Sequence, residues 1–183
     1  MSGGAHVDPS NKKIALLISI LALILAISET LGNGAQTKAL AANIEAANLW
    51  NFFQAKTVRM TVLRSTAEAM ETEAAGKPSP AMAAQIEKWR KTAERYDDEP
   101  ETNEGRKQLM ARAKVLEATR ELAMAAYHQY EVASAAVQIA IVLASSAVIT
   151  GLTALTFAAF GLGLVGVAFT LIGLLAPTAV HIF

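Results

Sequence analysis

The fold is decided by residues 132–176, VASAAVQIAIVLASSAVITGLTALTFAAFGLGLVGVAFTLIGLLA, in which no side chain is ionisable. After Glu131 the only ionisable side chain is that of His181, and an uncharged run of about fifty residues is typical of a chain embedded in lipid. The turn TGLT, residues 150–153, divides the segment into two runs of about the ~20 residues that a bilayer core requires. We therefore predict a tight hairpin of two transmembrane helices at 132–149 and 153–176, followed by a tail at 177–183.

A shorter uncharged run near the N-terminus, IALLISILALILAIS at residues 14–28, predicts a further membrane span. It reaches spanning length when it is extended to residues 13–31. No A-x-A-like cleavage site follows the run, so we interpret it as an uncleaved anchor rather than a signal peptide. Residues 1–12 then form a polar N-terminal tail.

Composition places the chain among membrane proteins and excludes several functional classes. Of its 183 residues, 53% are hydrophobic and only 17% are charged. Sixteen basic and sixteen acidic side chains cancel, which argues against nucleic acid as a partner. Because the chain has no cysteine, disulfides, thiolate catalysis and cysteine-ligated metal centres are excluded.

The segment between the anchors, residues 32–131, carries nearly all the charge and little β-branched alternation, which favours helices throughout. We predict a kink or short loop at Gly32–Gly34, a break at AGKPSP and an acidic turn at DDEPETNEG. Ser79 is placed to cap, and Pro80 to start, the helix after the second break. The predicted fold is an all-α membrane protein with about three transmembrane helices. A long antiparallel helical stalk stands between the first and second spans, with helices at about 35–74, 80–96 and 101–131, the last running on into the second span.

Apolar side chains at helical spacing predict that the first stalk helix packs against the two shorter segments, which lie end to end and antiparallel to it. In that register Trp50 and Phe53 lie near Ala113. The other end of the seam brings Leu63 and Ala67 close to the second stalk helix. The predicted packing seam consists of Trp50, Phe53, Met60, Leu63, Ala67, Ile86, Trp89 and Tyr96. Since such a coiled-coil-like seam buries one stripe on each helix, we also expect the chain to form a homo-oligomer.

Three polar residues at the predicted membrane boundary, Glu29, His128 and Glu131, are expected at the same membrane face. Their spacing permits two interpretations, a metal or proton site, or residues solvated at the headgroup level. We favour solvation and expect no metal ion and no cofactor. The acidic turn is likewise predicted to be a solvated loop, with weak binding of divalent cations as the alternative.

No Walker loop, nucleophile elbow, HExxH or GxGxxG motif occurs, so we expect no enzymatic activity, with a membrane-bound metal enzyme as the remaining alternative. Glycines of the last span, Gly161–Gly166 and Gly173, either mark a contact between subunits or accommodate the preceding span within one chain. Lys12 and Lys13 favour a cytoplasmic N-terminus and a periplasmic stalk, although Lys114 and Arg120 favour the reverse.

The segments NKKIALLISILALILAISE and QTKALAANIEAANLWNFFQAKTVR resemble a bacterial membrane-protein family catalogued as domain of unknown function 4337. The resemblance is carried by an N-terminal span, a W-x-F-x-Q-A-K pattern at Trp50–Lys56 and a C-terminal pair of spans. It implies placement in a bacterial membrane and supplies no activity, because none is assigned to the family.

Taken together, these features predict a non-enzymatic, homo-oligomeric protein of the bacterial inner membrane. Its partners would be the lipid bilayer, copies of itself and subunits of a membrane assembly that it scaffolds. The alternative is a small oligomeric channel or transport accessory built on the C-terminal hairpin.

Overall fold

A computed structural model describes residues 9–180, and every regular element among them is an α-helix. Helix α1 comprises Pro9–Glu73, α2 Pro80–Asp97, α3 Arg106–Thr150 and α4 Thr153–Leu175. The all-α fold class predicted from the sequence is confirmed. The tails predicted at 1–12 and 177–183 lie partly outside the described residues.

Three of these helices, α1, α3 and α4, are long and apolar enough to cross a membrane. Helix α1 has 65 residues, far more than the ~20 that a span requires, so its length also fits one side of a stalk. Helix α3 has 45 residues and joins the charged segment to the second apolar run without a break, as the sequence predicts. These lengths and compositions fit a multi-pass membrane protein.

The chain forms two compact units. The apolar unit comprises Met1–Ala39 and Glu121–Phe183, and the charged unit comprises Leu40–Arg120. The core of the apolar unit is built around Leu21, Val137 and Ala159, with alanines filling the gaps between helices. Close packing of this kind suits lipid-embedded helices, because small residues let their backbones approach.

Glycines of α4 pack against neighbouring helices of the same chain. A methyl group at Gly166 would overlap Val137 and lie 3.2 Å from the backbone oxygen of Ala133. A methyl group at Gly173 would lie 2.7 Å from the ring of Tyr130. These contacts, like that of Gly163 with the first helix, favour accommodation within one chain over a contact between subunits.

The breaks between helices use the expected residues. Ser79 caps α2 by accepting a hydrogen bond from the backbone nitrogen of Met82, and Pro80 is its first residue. Gly76 and Gly151 have φ of 76° and 68°, a conformation that glycine adopts without strain, and they follow the ends of α1 and α3.

Two predicted boundaries are wrong. Of the kink or short loop expected at Gly32–Gly34, the loop is absent, because α1 continues through these residues. Glycine lowers helix propensity by about 1 kcal/mol but does not break a helix held by packing, and the missing side chain at Gly32 leaves room for Tyr130. The third stalk helix begins at Arg106 rather than 101, because the chain turns through Asn103 with φ of 59°.

Candidate functional site

The charged unit is organised by contacts that α1 makes with α2 and α3. Trp50 donates a hydrogen bond to Glu117, 2.8 Å, and Lys56 lies 3.2 Å from Glu99. Farther along α1, Glu71 accepts from Arg90 of α2 at 2.6 Å. As the residue number rises along α1, the number of the partner falls, so α2 and α3 both run antiparallel to α1. This is the arrangement of one long helix against two shorter segments that the sequence predicts.

Trp50 and Phe53 lie in a small aromatic and aliphatic cluster at the α1–α3 contact. Its buried members are Leu49, Leu109 and Ala113, and the two rings pack against them. The rings meet edge to face with centroids 5.4 Å apart and planes at 80°, the arrangement that the charge distribution of aromatic rings favours. The indole N–H does not remain unpaired in this apolar setting, because Glu117 accepts it.

Lys56 is the least expected residue of the charged unit, because its side chain is only 6% exposed. Its ammonium group lies 3.2 Å from Glu99 and 3.9 Å from Glu104. The rings of Phe52 and Tyr96 lie 5.2 and 5.7 Å away, within the range of cation–π attraction. A buried lysine needs compensation of this kind, since an unpaired charge in an apolar setting is costly.

The acidic turn is therefore not only a solvated loop. Hydrogen bonding from Lys56 holds the pKa of Glu99 below its ordinary value. Next to it, the pKa of Asp98 is lowered by a hydrogen bond from Gln108 and then by one from Lys107. Asp98 in turn raises the pKa of Lys107. The turn is tied to both the start of α3 and the side of α1, and its carboxylates serve as structural partners.

Arg106, the first residue of α3, connects the same turn to α1. Its guanidinium donates to Thr57 and to Asp97, both at 2.8 Å, and lies 4.8 Å from the ring centroid of Phe53. The sequence offered no signal for this residue beyond its charge. A glycine precedes it, and a side chain there would collide with the backbone at Glu99, so Gly105 permits the tight approach.

The remaining predicted seam residues are distributed along α1 and α2. Met60, Ala67 and Ile86 are buried, and the other three are half-buried: Leu63, Trp89 and Tyr96. Ala93, which shares the apolar face of α2, is also buried. Small residues at Ala67 and Ala93 suit close approach of two helices.

In the apolar unit, two of the three predicted boundary residues line one cleft. Glu29 and Glu131 contribute to an open cavity of about 350 Å³ between α1 and α3, together with Gln138. The amide of Gln138 donates to Glu29 at 3.3 Å. The residue before Glu29, Ser28, is buried and shares a 2.8 Å hydrogen bond with Thr170 of α4. The cleft is thus a polar patch on a unit whose core is apolar.

His128 does not line that cleft, and its Nδ1 lies 3.6 Å from a carboxylate oxygen of Glu131. Within residues 9–180, no three His, Cys, Asp or Glu side chains are placed to hold a metal ion together. The arrangement of Glu29, His128 and Glu131 as one metal site is therefore not supported. Two carboxylates facing one cleft can exchange protons or attract cations, but they do not form a closed coordination shell.

A second apolar surface of the charged unit lies on α1. Four of its side chains are large and 54–63% exposed. We call this surface the outer stripe, and with the smaller residues between them it consists of Leu40, Ile44, Ala47, Asn51, Ala55, Val58 and Val62. At 100° per residue, it points roughly 160° away from the buried Leu49 and Met60. Helix α1 therefore presents apolar side chains on two opposite sides.

Comparison with known proteins identifies one family. The model of a domain of unknown function (DUF4337) matches residues 10–176. No curated protein and no solved structure matches the chain.

Proposed function

The chain belongs to the family described as a domain of unknown function (DUF4337), and on that premise we propose that it is a non-enzymatic, homo-oligomeric scaffold of a membrane assembly. The observation that carries this proposal is the two-sided apolar character of α1. One side packs against α2 and α3, and the outer stripe is left exposed. A continuous exposed apolar face on a helix is often a surface that binds another protein.

The polar chemistry of the charged unit supports a structural role. Its most buried ionisable group, Lys56, is held by carboxylates and rings, and Arg106 is held by Thr57 and Asp97. Catalytic groups usually face a cavity in which a substrate can bind. These side chains instead face each other across helix contacts, so they stabilise the fold.

The proposal is tested by stoichiometry in native membranes. A fluorescent protein fused to the chain should bleach in two or more steps per spot when membrane fragments are examined one particle at a time. Partners that remain bound after gentle solubilisation should be identified by mass spectrometry. Single-step bleaching without any associated protein would contradict a scaffold.

We further propose that the membrane is the bacterial inner membrane and that the charged unit faces the periplasm. Lys12 and Lys13 lie at the N-terminal end of the first span, and positive residues favour the cytoplasmic side. A pair of reporters inserted near Gly76, one active only in the cytoplasm and one only in the periplasm, measures this directly. Activity of the cytoplasmic reporter alone would show that the charged unit faces the cytoplasm and would contradict this proposal.

A second candidate function is a small channel or transport accessory, which the polar cleft of the apolar unit favours. Glu29, Glu131 and Gln138 line this cleft. If several copies turned the clefts toward a common axis, the carboxylates would form a ring of the kind that selects cations. Proteoliposomes should then show cation flux that Glu29→Gln reduces, and flux equal to that of empty liposomes would exclude the channel.

A further inference from the structure

From the outer stripe of α1 we infer a specific interface: two copies of the chain pair side by side, parallel and in register, through Leu40–Val62. The inference rests on the proposed function, since it names the surface by which the scaffold self-associates. It also defines the neighbour of each residue, because in such a pair every stripe residue faces its own copy.

The pattern of the stripe suits a helix as its partner. Its seven residues follow one another at steps of 4, 3, 4, 4, 3 and 4, a mean close to the 3.6 residues of a helical turn. The stripe therefore runs nearly straight along α1 for roughly 33 Å. Two such stripes can lie against each other over their whole length with little supercoiling.

The centre of the stripe carries the feature that sets register. Asn51 is exposed and lies between two alanines of the stripe, Ala47 and Ala55. The alanines let two helices approach closely, and a lone asparagine in an apolar helix seam pairs with its own copy and disfavours shifted alignments. In the parallel, in-register pair the two Asn51 amides meet and hydrogen-bond to each other.

The rims of the stripe are compatible with a parallel copy. One rim carries Asn43, Gln54 and Thr61, which are exposed and uncharged, and the other carries Asn48 and Arg59. In a parallel two-fold pair, each rim faces the opposite rim of the partner. Arg59 then lies near amide and hydroxyl groups rather than near a second arginine, so no like charges meet.

The same rims argue against other occupants. A helix that lies on a membrane surface usually has several lysines or arginines beside its apolar face, whereas here α1 contributes only Arg59, and Arg120 of α3 reaches the other rim at Asn43. A strongly charged protein partner would find only these two positive charges along the rims. A second copy meets neither difficulty, and two copies inserted in one membrane with the same orientation are parallel where α1 runs along the membrane normal.

The area of the stripe predicts a weak contact that depends on the membrane. A strip of this length and about one helix in width (~10 Å) offers roughly 300 Å² per copy, well below the ~800 Å² per partner of a standard stable interface. Anchoring both copies in one bilayer raises their effective concentration and compensates for the small area. Pairing should therefore persist in membranes and decrease when the protein is diluted in excess detergent.

Disulfide trapping tests the interface directly, because the chain has no cysteine of its own. Ile44→Cys and Val58→Cys place single thiols on the stripe, and Arg64→Cys places an exposed thiol on another side of α1 as the matched control. A disulfide forms only where Cα atoms come within about 7 Å, so oxidation of native membranes should link the stripe variants at least about fivefold more than the control.

A charge variant gives an independent measurement. Val58→Lys brings two ammonium groups together at the stripe and should shift particles to single-step bleaching in native membranes. Its unfolding curve by tryptophan fluorescence should match that of the unmodified chain, because Val58 faces away from the seam. If Val58→Lys unfolds the protein, that curve will show it, and disulfide trapping alone then tests whether the two outer stripes pair.

The possible outcomes separate this inference from the scaffold proposal. Multiple bleaching steps with no preferential linkage at residues 44 and 58 would overturn the parallel stripe and leave the scaffold standing. Single-step bleaching of the unmodified chain, with no other protein bound, would overturn both. Linkage of the stripe thiols to a different protein would overturn the choice of a second copy.

Discussion

Replacing Leu109 by alanine should weaken the charged unit strongly, whereas the same change at Val115 of the same helix should not. Leu109 is 0% exposed and belongs to the cluster that holds Trp50 and Phe53. Val115 is 66% exposed, so its side chain already faces outward. The pair of variants therefore separates the contribution of the seam from any general effect of shortening an apolar side chain.

The magnitude follows from the burial of Leu109. Removing three carbon atoms loses about 2.4 kcal/mol at ~0.8 kcal/mol per buried group, and the cavity that remains adds to this. Ala113 is too small to fill the space, and the half-buried ring of Phe53 packs against the same cluster. We expect a loss of about 3 kcal/mol, against a total stability of roughly 4–12 kcal/mol for a unit of this size.

Tryptophan fluorescence measures this loss selectively, because the two tryptophans, Trp50 and Trp89, both lie in the charged unit. With a guanidinium dependence of about 2 kcal/mol per molar, the unfolding midpoint of Leu109→Ala in nonionic detergent should fall by about 1.5 M. Val115→Ala should change it by less than about 0.3 M. Equal midpoints for the two variants would refute the assignment of the seam as the source of stability.

Three further perturbations test other contacts. Gly166→Ala should lower the free energy of unfolding, followed by circular dichroism during heating, by about 1–3 kcal/mol, because the added methyl group meets α3. Gly161→Ala should leave this free energy unchanged, because its methyl group would meet nothing within 4 Å. Ser79→Ala should cost about 1 kcal/mol in tryptophan-monitored unfolding through loss of the helix cap, and no change would contradict the cap. Lys56 lowers the pKa of Glu99 below its ordinary value of 4.5. The contribution of this pair to the stability of the fold is therefore fully present above pH 4.5 and is lost as the pH falls through the lowered pKa. The acid-induced fall in unfolding midpoint should therefore be smaller in Glu99→Gln, and an identical pH profile would contradict this pairing.

The elements that follow from simple periodicity and hydropathy were predictable. An uncharged run of spanning length has few alternatives to a helix in lipid, because every backbone polar group must be satisfied within the segment. A proline after a serine, as at Ser79 and Pro80, similarly determines where a helix starts. The antiparallel register followed from matching apolar stripes, and Trp50 lies beside Ala113 as that matching predicts.

The departures have a common physical origin, which is that tertiary contacts override local preference. Gly32 and Gly34 lower helix propensity, yet packing against Tyr130 continues α1 through the first of them. No partner for Lys56 was predicted from the sequence, yet its side chain is buried and paired with Glu99, which is 43 positions distant. No local pattern encodes a pairing over that separation.

The hypothesis of a metal site at Glu29, His128 and Glu131 shows that helical spacing alone does not determine which residues share a cavity. His128 and Glu131 share a side of α3, yet Glu131 lines the cleft and His128 does not, because the lining is set by α1 as well as by α3. Spacing along one helix determines which residues share its face. The position of the neighbouring helix determines which of them share a cavity, and the sequence carries that information only indirectly.

The same reasoning explains why architecture is easier to establish than function for this chain. A catalytic site is encoded by a few reactive residues in a cavity, whereas a scaffold is encoded by whole helix faces. In α1 both faces consist of ordinary apolar residues, and only their arrangement on opposite sides of one helix distinguishes the seam from the outer stripe. A single substitution within the seam should therefore reduce stability, whereas one on the outer stripe should change assembly and leave the fold unchanged. That separation is what a scaffold requires and what a simple core helix would not show.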